Sequence, residues 1–259
     1  MIRPTSILAA LAAAFVGLAA KAAPPEPAEL SLVVAISAAP ANRSALREDL
    51  VSEQAKRLHA WRAQGVLKSY RLLFNRYADA GSWDAMEILT FADAAAQARW
   101  DGVERAAPAG LDPRALALTT SISSAPSGLV RRGAAPAAPA NGGPFLVIPY
   151  DALVPVPEYL KYIDGYTVPQ MQGWIEEGVL AGYGLHVARY YAGRPWTALL
   201  VLDYRDEEAL ARRDEVVTKV RARLAGDPVW KAISDNKKAM RAEKQLAVAD
   251  QLAGEGAGP

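Results

Sequence analysis

Trp61-Arg62-Ala63-Gln64-Gly65-Val66-Leu67-Lys68-Ser69-Tyr70-Arg71-Leu72 decides the fold, because the chain carries it again 113 positions later as Trp174-Ile175-Glu176-Glu177-Gly178-Val179-Leu180-Ala181-Gly182-Tyr183-Gly184-Leu185. The Trp, Gly, Val-Leu, Tyr and Leu keep their places. At the same offset Arg76-Tyr77 meets Arg189-Tyr190, Trp83 and Ala85 meet Trp196 and Ala198, and Leu89 meets Leu202. Asp93, Ala96, Ala98 and Arg99 then meet Asp206, Ala209, Ala211 and Arg212. A gapless period this long exceeds a solenoid unit and suits a small domain, so the sequence reads as one fold duplicated.

Working outward, Leu30 to Ser37 is a β-branched apolar run, and Leu46, Leu50, Leu58 and Trp61 recur near helical spacing up to the glycine stop at Gly65. Leu67 to Tyr77 and Trp83 to Phe91 read as strands around a turn, Asp93 as the N-cap of a second helix, and Ala115 to Ser124 as a closing strand. The second half repeats the order: strand 144–150, helical pieces between Pro157 and Glu177 broken at Pro169, strands 180–191 and 196–204, and a helix from Asp206. Its last strand falls near Lys244 to Ala249. Each half is therefore βαββαβ, the ferredoxin-like arrangement of a four-stranded antiparallel sheet with its helices on one face. The bare face of one such sheet is covered when a second packs against it.

On these residues, the Trp-x-x-x-Gly-x-Leu-x-x-Tyr pattern and the Trp-started strand in both halves, the chain resembles the dimeric α/β-barrel superfamily of antibiotic-biosynthesis-type monooxygenases, EthD-like and NIPSNAP-like proteins. The resemblance implies an α+β fold of two tandem ferredoxin-like domains forming an intramolecular dimeric α/β-barrel. Its members include cofactor-free oxygenases, haem-handling enzymes and proteins of unknown role, so the fold alone does not name an activity.

The ends and the composition set further bounds. Residues 1–22 join Arg3, an apolar run from Ile7 to Ala20 and the small residues Ala20-Lys21-Ala22, the form of a cleaved secretory signal peptide. The run is shorter than the roughly 20 residues that span a bilayer. Cleavage removes Arg3 and Lys21 from 29 cations and nothing from 28 acids, leaving a net charge of −1, with no long-range field to gather nucleic acid. The expected location is periplasmic or secreted. With no cysteine, each half holds together by core burial. The domains read as 23–124 and 144–252, separated by an Ala/Pro/Gly linker over 125–143 and followed by a disordered tail over 253–259.

Strand alternation assigns Tyr70, Leu72 and Phe74, with Tyr183, Leu185 and Val187, to the helix side. Arg71, Leu73, Asn75 and Tyr77, and Gly184, His186, Ala188 and Tyr190, then face the space between the sheets, joined by Trp83, Ala85 and Glu87 and by Trp196, Ala198 and Leu200. On that face the halves differ where polar groups fall, Arg71 against Gly184, Leu73 against His186, Asn75 against Ala188, and Glu87 against Leu200. This asymmetry nominates His186 and Glu87 as catalytic groups, and Arg71, Asn75, Tyr77, Trp83, Tyr190 and Trp196 as ligand-binding groups. A histidine titrates near neutrality, an arginine neutralises an anion, and aromatic rings clamp a flat ligand. Each has a plainer reading: His186 simply hydrogen-bonded, Glu87 in a salt bridge with Arg71, and Trp61 and Trp174 as core wedges. His59, in a charged helical stretch, reads as solvated.

Two histidines and no cysteine give no zinc or haem-attachment motif, and no phosphate loop or nucleophile elbow occurs. No cofactor and no metal are expected. The expected partners are a small aromatic or hydrophobic ligand and a second copy of the chain in a homo-oligomer, with no nucleic acid and no membrane span. Two functions follow: an exported small-molecule-binding protein of cofactor-independent oxygenase or isomerase type, or a noncatalytic structural or interaction module. A void between the sheets bordered by His186, Arg71 and Trp83 favours the first, and a filled lumen the second.

Overall fold

The computed structural model describes residues 28–136 and 143–254. The expected signal peptide over 1–22 lies outside them. Strand β1 (Glu29–Ala38) leads into α1 (Arg43–Asp49) and α2 (Ala55–Ala63), which are continuous through a π-helical turn at Leu50–Gln54. Then come β2 (Ser69–Asn75), β3 (Ala85–Thr90), α3 (Ala94–Ala106), α4 (Pro113–Leu118) and β4 (Thr119–Ala134). The second half runs β5 (Phe145–Ala152), α5 (Val156–Tyr162), a π-helical turn at Ile163–Thr167, α6 (Val168–Glu176), β6 (Leu180–Ala188) and β7 (Ala198–Tyr204). It ends with α7 (Glu207–Ala211), α8 (Arg213–Leu224), α9 (Pro228–Asp235), α10 (Lys237–Met240), β8 (Arg241–Glu243) and β9 (Ala247–Gly254).

All strand pairs are antiparallel, in the order β7-β6-β4-β1-β3-β2-β9-β5, and β5 closes back onto β7. The result is an eight-stranded closed barrel, which leaves no free edge among these strands; β8 adds a short pairing with β5. The two halves join twice, through β4 with β6 and through β9 with β2. Arg76 reinforces the second seam, reaching Asp250 Oδ1 on β9 at 2.7 Å and the carboxylate of Glu207.

The repeated residues do matching work. Gly65 and Gly178 have φ of +70° and +75°, a left-handed stop after α2 and α6 that other residues enter with strain. The carbonyls of Trp61 and Trp174 accept the amides of Val66 and Val179 in the same way at the two stops. Asp93 and Asp206 cap α3 and α7, each accepting at 2.7 Å from the amide three residues on. Trp61 packs edge-on against Trp100, and Trp174 is buried among the helices of its own half.

Several expectations need correction. The two π turns also stand 113 residues apart, and only the second is followed by a proline, so Pro169 neither breaks the helix nor causes the turn. Residues 125–134 are not linker: β4 continues to Ala134, pairing first with β1 and then with β6. Small residues hide this strand from a pattern reading, because ladder hydrogen bonds on both sides hold it without an apolar face. The linker shrinks to 135–143, of which 137–142 lie outside the described residues. Likewise β9 begins later than expected and runs to Gly254, so the tail does not start at Ala253, and the remaining 255–259 lie outside the described residues. Ala115 to Leu118 belong to α4 rather than to the closing strand.

Three apolar clusters result. Two fill the spaces between barrel and helices, one around Leu72, Leu89 and Trp100 and one around Leu185, Leu202 and Trp174. The third lies inside the barrel: Val33, Leu73, Met86, Ile88, Phe145, Val147, Ala188, Trp196, Leu199 and Val201, with Trp83 against it. It plugs part of the lumen. Among the described residues no helix is long and apolar enough to cross a membrane.

Candidate functional site

The rest of the lumen is open. A cavity of ≈ 610 Å³ occupies the barrel end formed by the starts of β1, β2 and β6 and the ends of β3, β4 and β7. Its wall includes Arg71, Ile88, Leu129, His186, Val201 and Asp203. At its mouth Glu29 accepts from Lys68 Nζ at 2.9 Å and pairs with Arg132 Nη1 at 3.0 Å. Three cations and two acids border the cavity, an excess of one positive charge.

His186 is 4 % exposed, and its Nδ1 lies 3.0 Å from Ser31 Oγ. Burial, followed by the nearby Arg71 charge, lowers its pKa to about 4, so the ring is neutral at physiological pH. Gly184, two residues earlier on the same face of β6, leaves its Nε2 side uncovered: a Cβ built there would stand 3.6 Å from Nε2 and 3.4 Å from Leu129 Cδ1. Across the lumen the Arg71 guanidinium sits 5.1 Å from the Phe145 ring centroid and meets Asp203 Oδ2 at 3.4 Å. Burial raises the Asp203 carboxyl pKa, while Arg71 pulls it down. Its buried Oδ1 has no hydrogen-bond partner among the described residues. The cavity thus offers a neutral imidazole, a guanidinium and an incompletely paired carboxyl against an apolar wall.

Of the residues nominated from sequence, the structure brings Arg71 and His186 to this cavity and no others. Glu87 lies on the opposite face of the sheet: it stands across from Leu72 in the β2–β3 register and is wholly buried under the helices. There Oε1 accepts from Gln54 Nε2 at 2.8 Å, and burial pushes its pKa up to about 8. It has no salt bridge with Arg71. Asn75 fastens the far strand end, donating to the Trp83 carbonyl at 3.0 Å and accepting from the Tyr77 amide at 3.2 Å. Tyr77 and Tyr190 are 67 % and 65 % exposed. Trp83 and Trp196 belong to the plug. His59 is exposed, as its charged surroundings suggested.

Glu87 is misplaced by a slip of strand phase, whereas Tyr77 and Tyr190 fall past the ends of β2 and β6. Counting by twos from Trp83 and Trp196 puts Glu87 and Leu200 inside, but β3 and β7 begin only at Ala85 and Ala198, after a break in the alternation. The inward residues are Met86 and Ile88, and Leu199, Val201 and Asp203, a step of three from each tryptophan to its next inward neighbour. The reading therefore missed Asp203, although an acid ending the run Leu199-Leu200-Val201-Leu202 was a visible signal. It also missed Ser31 and Lys68, which no pattern singled out, and Arg132, whose pairing with Arg131 in the expected linker suggested a protease-sensitive point rather than a binding group. Among the described residues, no cluster of three His, Asp or Glu could hold a metal ion.

No protein-family model matches the chain, and no curated protein sequence matches it significantly. Solved structures do share its fold. A provisionally named monooxygenase of Lactobacillus acidophilus superposes with a TM-score of 0.54 at 14% identity, over 88% of this chain and 96% of its own. An anthrone oxidase-like protein gives 0.53 at 14% identity, over 89% and 94%. A provisionally named monooxygenase of Fusobacterium nucleatum gives 0.52 at 12% identity, over 89% and 95%. These likenesses place the closed eight-stranded barrel with the dimeric α/β-barrels. At such identities they speak to fold alone.

Proposed function

We propose that this protein is an exported, duplicated ferredoxin-like barrel that binds one small molecule in its barrel-end cavity and withdraws a proton from it. The observation that carries the reading is the ≈ 610 Å³ cavity that a neutral, buried His186 and the Arg71 guanidinium both line, from opposite sides. A void of that size suits a compact ligand of several fused or linked rings. In this reading the His186 imidazole accepts a proton from an acidic O–H or C–H of the ligand. The electron pair stays on the ligand as a phenolate or enolate, and Arg71 stabilises the negative charge. A histidine titrating near 4 is a weak base in the empty cavity. The anion that forms beside it offsets the desolvation that weakened it, so transfer is coupled to ligand charge. Proton withdrawal of this kind opens both cofactor-independent oxygenation and isomerisation. The names of the neighbours, two monooxygenases and an anthrone oxidase-like protein, agree with the first.

Export rests on the N-terminal pattern of residues 1–22, and duplication on the 113-residue repeat together with the matched caps, glycine stops and π turns. The plug around Trp196 favours the second reading, a noncatalytic module, for that part of the lumen only. The test is a thermal-shift and native mass-spectrometry screen of the mature protein against aromatic and polyketide-like metabolites, repeated on His186→Ala. Retained folding with at least tenfold weaker binding supports the reading. Unchanged binding of the hit, or no hit while the purified protein carries no ligand, refutes it.

A further inference from the structure

Two buried serines lie behind the cavity. Ser31 on β1 and Ser127 on β4 are directly paired in the sheet and are 1 % and 0 % exposed. Ser31 Oγ lies 3.0 Å from His186 Nδ1 and 2.9 Å from Ser127 Oγ, and Ser127 Oγ lies 3.5 Å from the Ser31 carbonyl oxygen. Three residues on β1, β4 and β6 thus form a chain ending on a backbone acceptor. At the 113-residue offset His186 corresponds to Leu73, which sits in the dry plug, so the chain belongs to the polar part of the lumen.

A hydroxyl has one proton to give, and this orders the chain. A carbonyl oxygen only accepts, so the Ser127 hydroxyl donates to the Ser31 carbonyl. The Ser31 hydroxyl then donates to Ser127 Oγ, and its own oxygen is left to accept from His186 Nδ1–H. The reverse order would put a proton on Nε2 and leave the Ser31 carbonyl without that donor. Electrostatics favours the first order as well: Arg71 acts on His186 across the cavity, and a cation favours a lone pair over an N–H facing it.

We infer that Ser31 and Ser127 are positioning residues that hold His186 in the Nδ1–H tautomer with the Nε2 lone pair turned toward the cavity. A ligand meets Nε2 as a hydrogen-bond donor, and the serines decide that polarity without touching it. The functional consequence rests on the ligand-binding reading of the cavity. The tautomer itself does not, since it is a property of the empty protein.

The chain has only two histidines, so ¹⁵N spectra of the labelled full protein at pH 6 to 7 are assignable with a His59→Gln control. The expected result is one protonated resonance at Nδ1 and one lone-pair resonance at Nε2 of His186. Ser127→Ala removes the acceptor for the Ser31 proton, so Ser31 turns to donate to Nδ1 and the two resonance types exchange; Ser127→Thr, which keeps the hydroxyl, restores the original pattern. A protonated Nε2 in the parent overturns the inference, and so does a folded Ser127→Ala with an unchanged tautomer. Should that variant not fold, Ser31→Ala replaces it: loss of the acceptor at Nδ1 is expected to give a mixture of tautomers, and an unmixed Nδ1–H form overturns the assignment. A failed ligand screen alters none of these resonances, so failure of the cavity reading and failure of the tautomer assignment are told apart.

Discussion

Replacing Glu87 by leucine, the residue that stands at the matched position 200 of the second half, is expected to stabilise the protein at neutral pH and destabilise it in acid. Glu87 is 0 % exposed; among the described residues its side chain accepts one hydrogen bond, from Gln54, and Oε2 has no partner. Burial first, and then the Glu104 charge, hold its pKa near 8 against 4.5 unfolded, with the Gln54 hydrogen bond acting the other way. Between these values the folded state keeps a proton that the unfolded state releases, so stability falls as pH rises, by about 1.4 kcal/mol per pH unit. The contribution is fully present below pH 4.5 and is lost as pH climbs through 8. At pH 7 the loss is on the order of 3 kcal/mol. Glu87→Leu removes that penalty but leaves Gln54 with only the Ala109 carbonyl, a cost of about 1–2 kcal/mol. The net expectation is a gain of about 1–2 kcal/mol at pH 7, roughly 2–8 °C in Tm, and a loss of similar size near pH 4.5. Denaturant unfolding of the parent, Glu87→Leu and the isosteric Glu87→Gln between pH 4.5 and 8 measures the difference curves, from which other titrating groups cancel. Parallel curves for parent and Glu87→Gln across that range would show that Glu87 does not hold its proton and would refute the reasoning.

Other expectations follow from the same geometry. Gly184→Leu should fold as the parent does, because its Cβ meets only ordinary contacts, yet abolish ligand binding by filling the space beside His186 Nε2; calorimetry with a screened ligand checks both halves of the statement. His186 titrates near 4, so ligand binding should be flat from pH 5 to 8, and the stability it contributes should fall as pH drops from 6.5 through 4, a trend that His186→Gln removes. Asp93→Ala and Asp206→Ala should each cost about 1 kcal/mol in urea unfolding through loss of an N-cap, and a cost at only one site would break the equivalence of the halves. Proteolytic nicking within 135–143 should leave the two fragments co-eluting on size exclusion, because the β4–β6 and β2–β9 seams both hold; separation of the fragments counts against the closed barrel.

The parts of this fold legible from sequence are those where a side chain is required by its own backbone. Gly65 and Gly178 sit at positive φ, Asp93 and Asp206 satisfy free amides, and Trp61 and Trp174 fill the helix end beside each stop, so their repetition reported the architecture. What sequence concealed is held by partners far along the chain. The later parts of β4 and β9, beyond Ser124 and beyond Ala249, have composition that resembles linker and tail, and are strand because each of the two strands is bonded on both sides, one of those sides belonging to the other half. The phase of β3 and β7 was lost at a two-residue break that no propensity marks, and this one slip put Glu87 in the wrong compartment and left Asp203 unnoticed.

The same asymmetry that suggested a site also shows how a barrel of two similar halves can hold a cavity open. A lumen lined alike by both halves would fill with matched apolar side chains, as it does in the plug, where Trp83 and Met86 share one cluster with their counterparts Trp196 and Leu199. Polar groups in that space carry a desolvation cost of several kcal/mol each unless they are paired or hydrated. Arg71, His186 and Asp203 avoid it by standing where Gly184 supplies no side chain and the barrel end is open, so the void and the charges require one another. Gly184 is then as much a part of the site as His186, and a variant that closes the void should force Arg71 and Asp203 into a tighter pair. That coupling is measurable: in the background of Gly184→Leu, Arg71→Met should cost more stability than it does alone, because removing one partner of a dry pair strands the other. Additive costs would mean that the cavity and its charges are independent features.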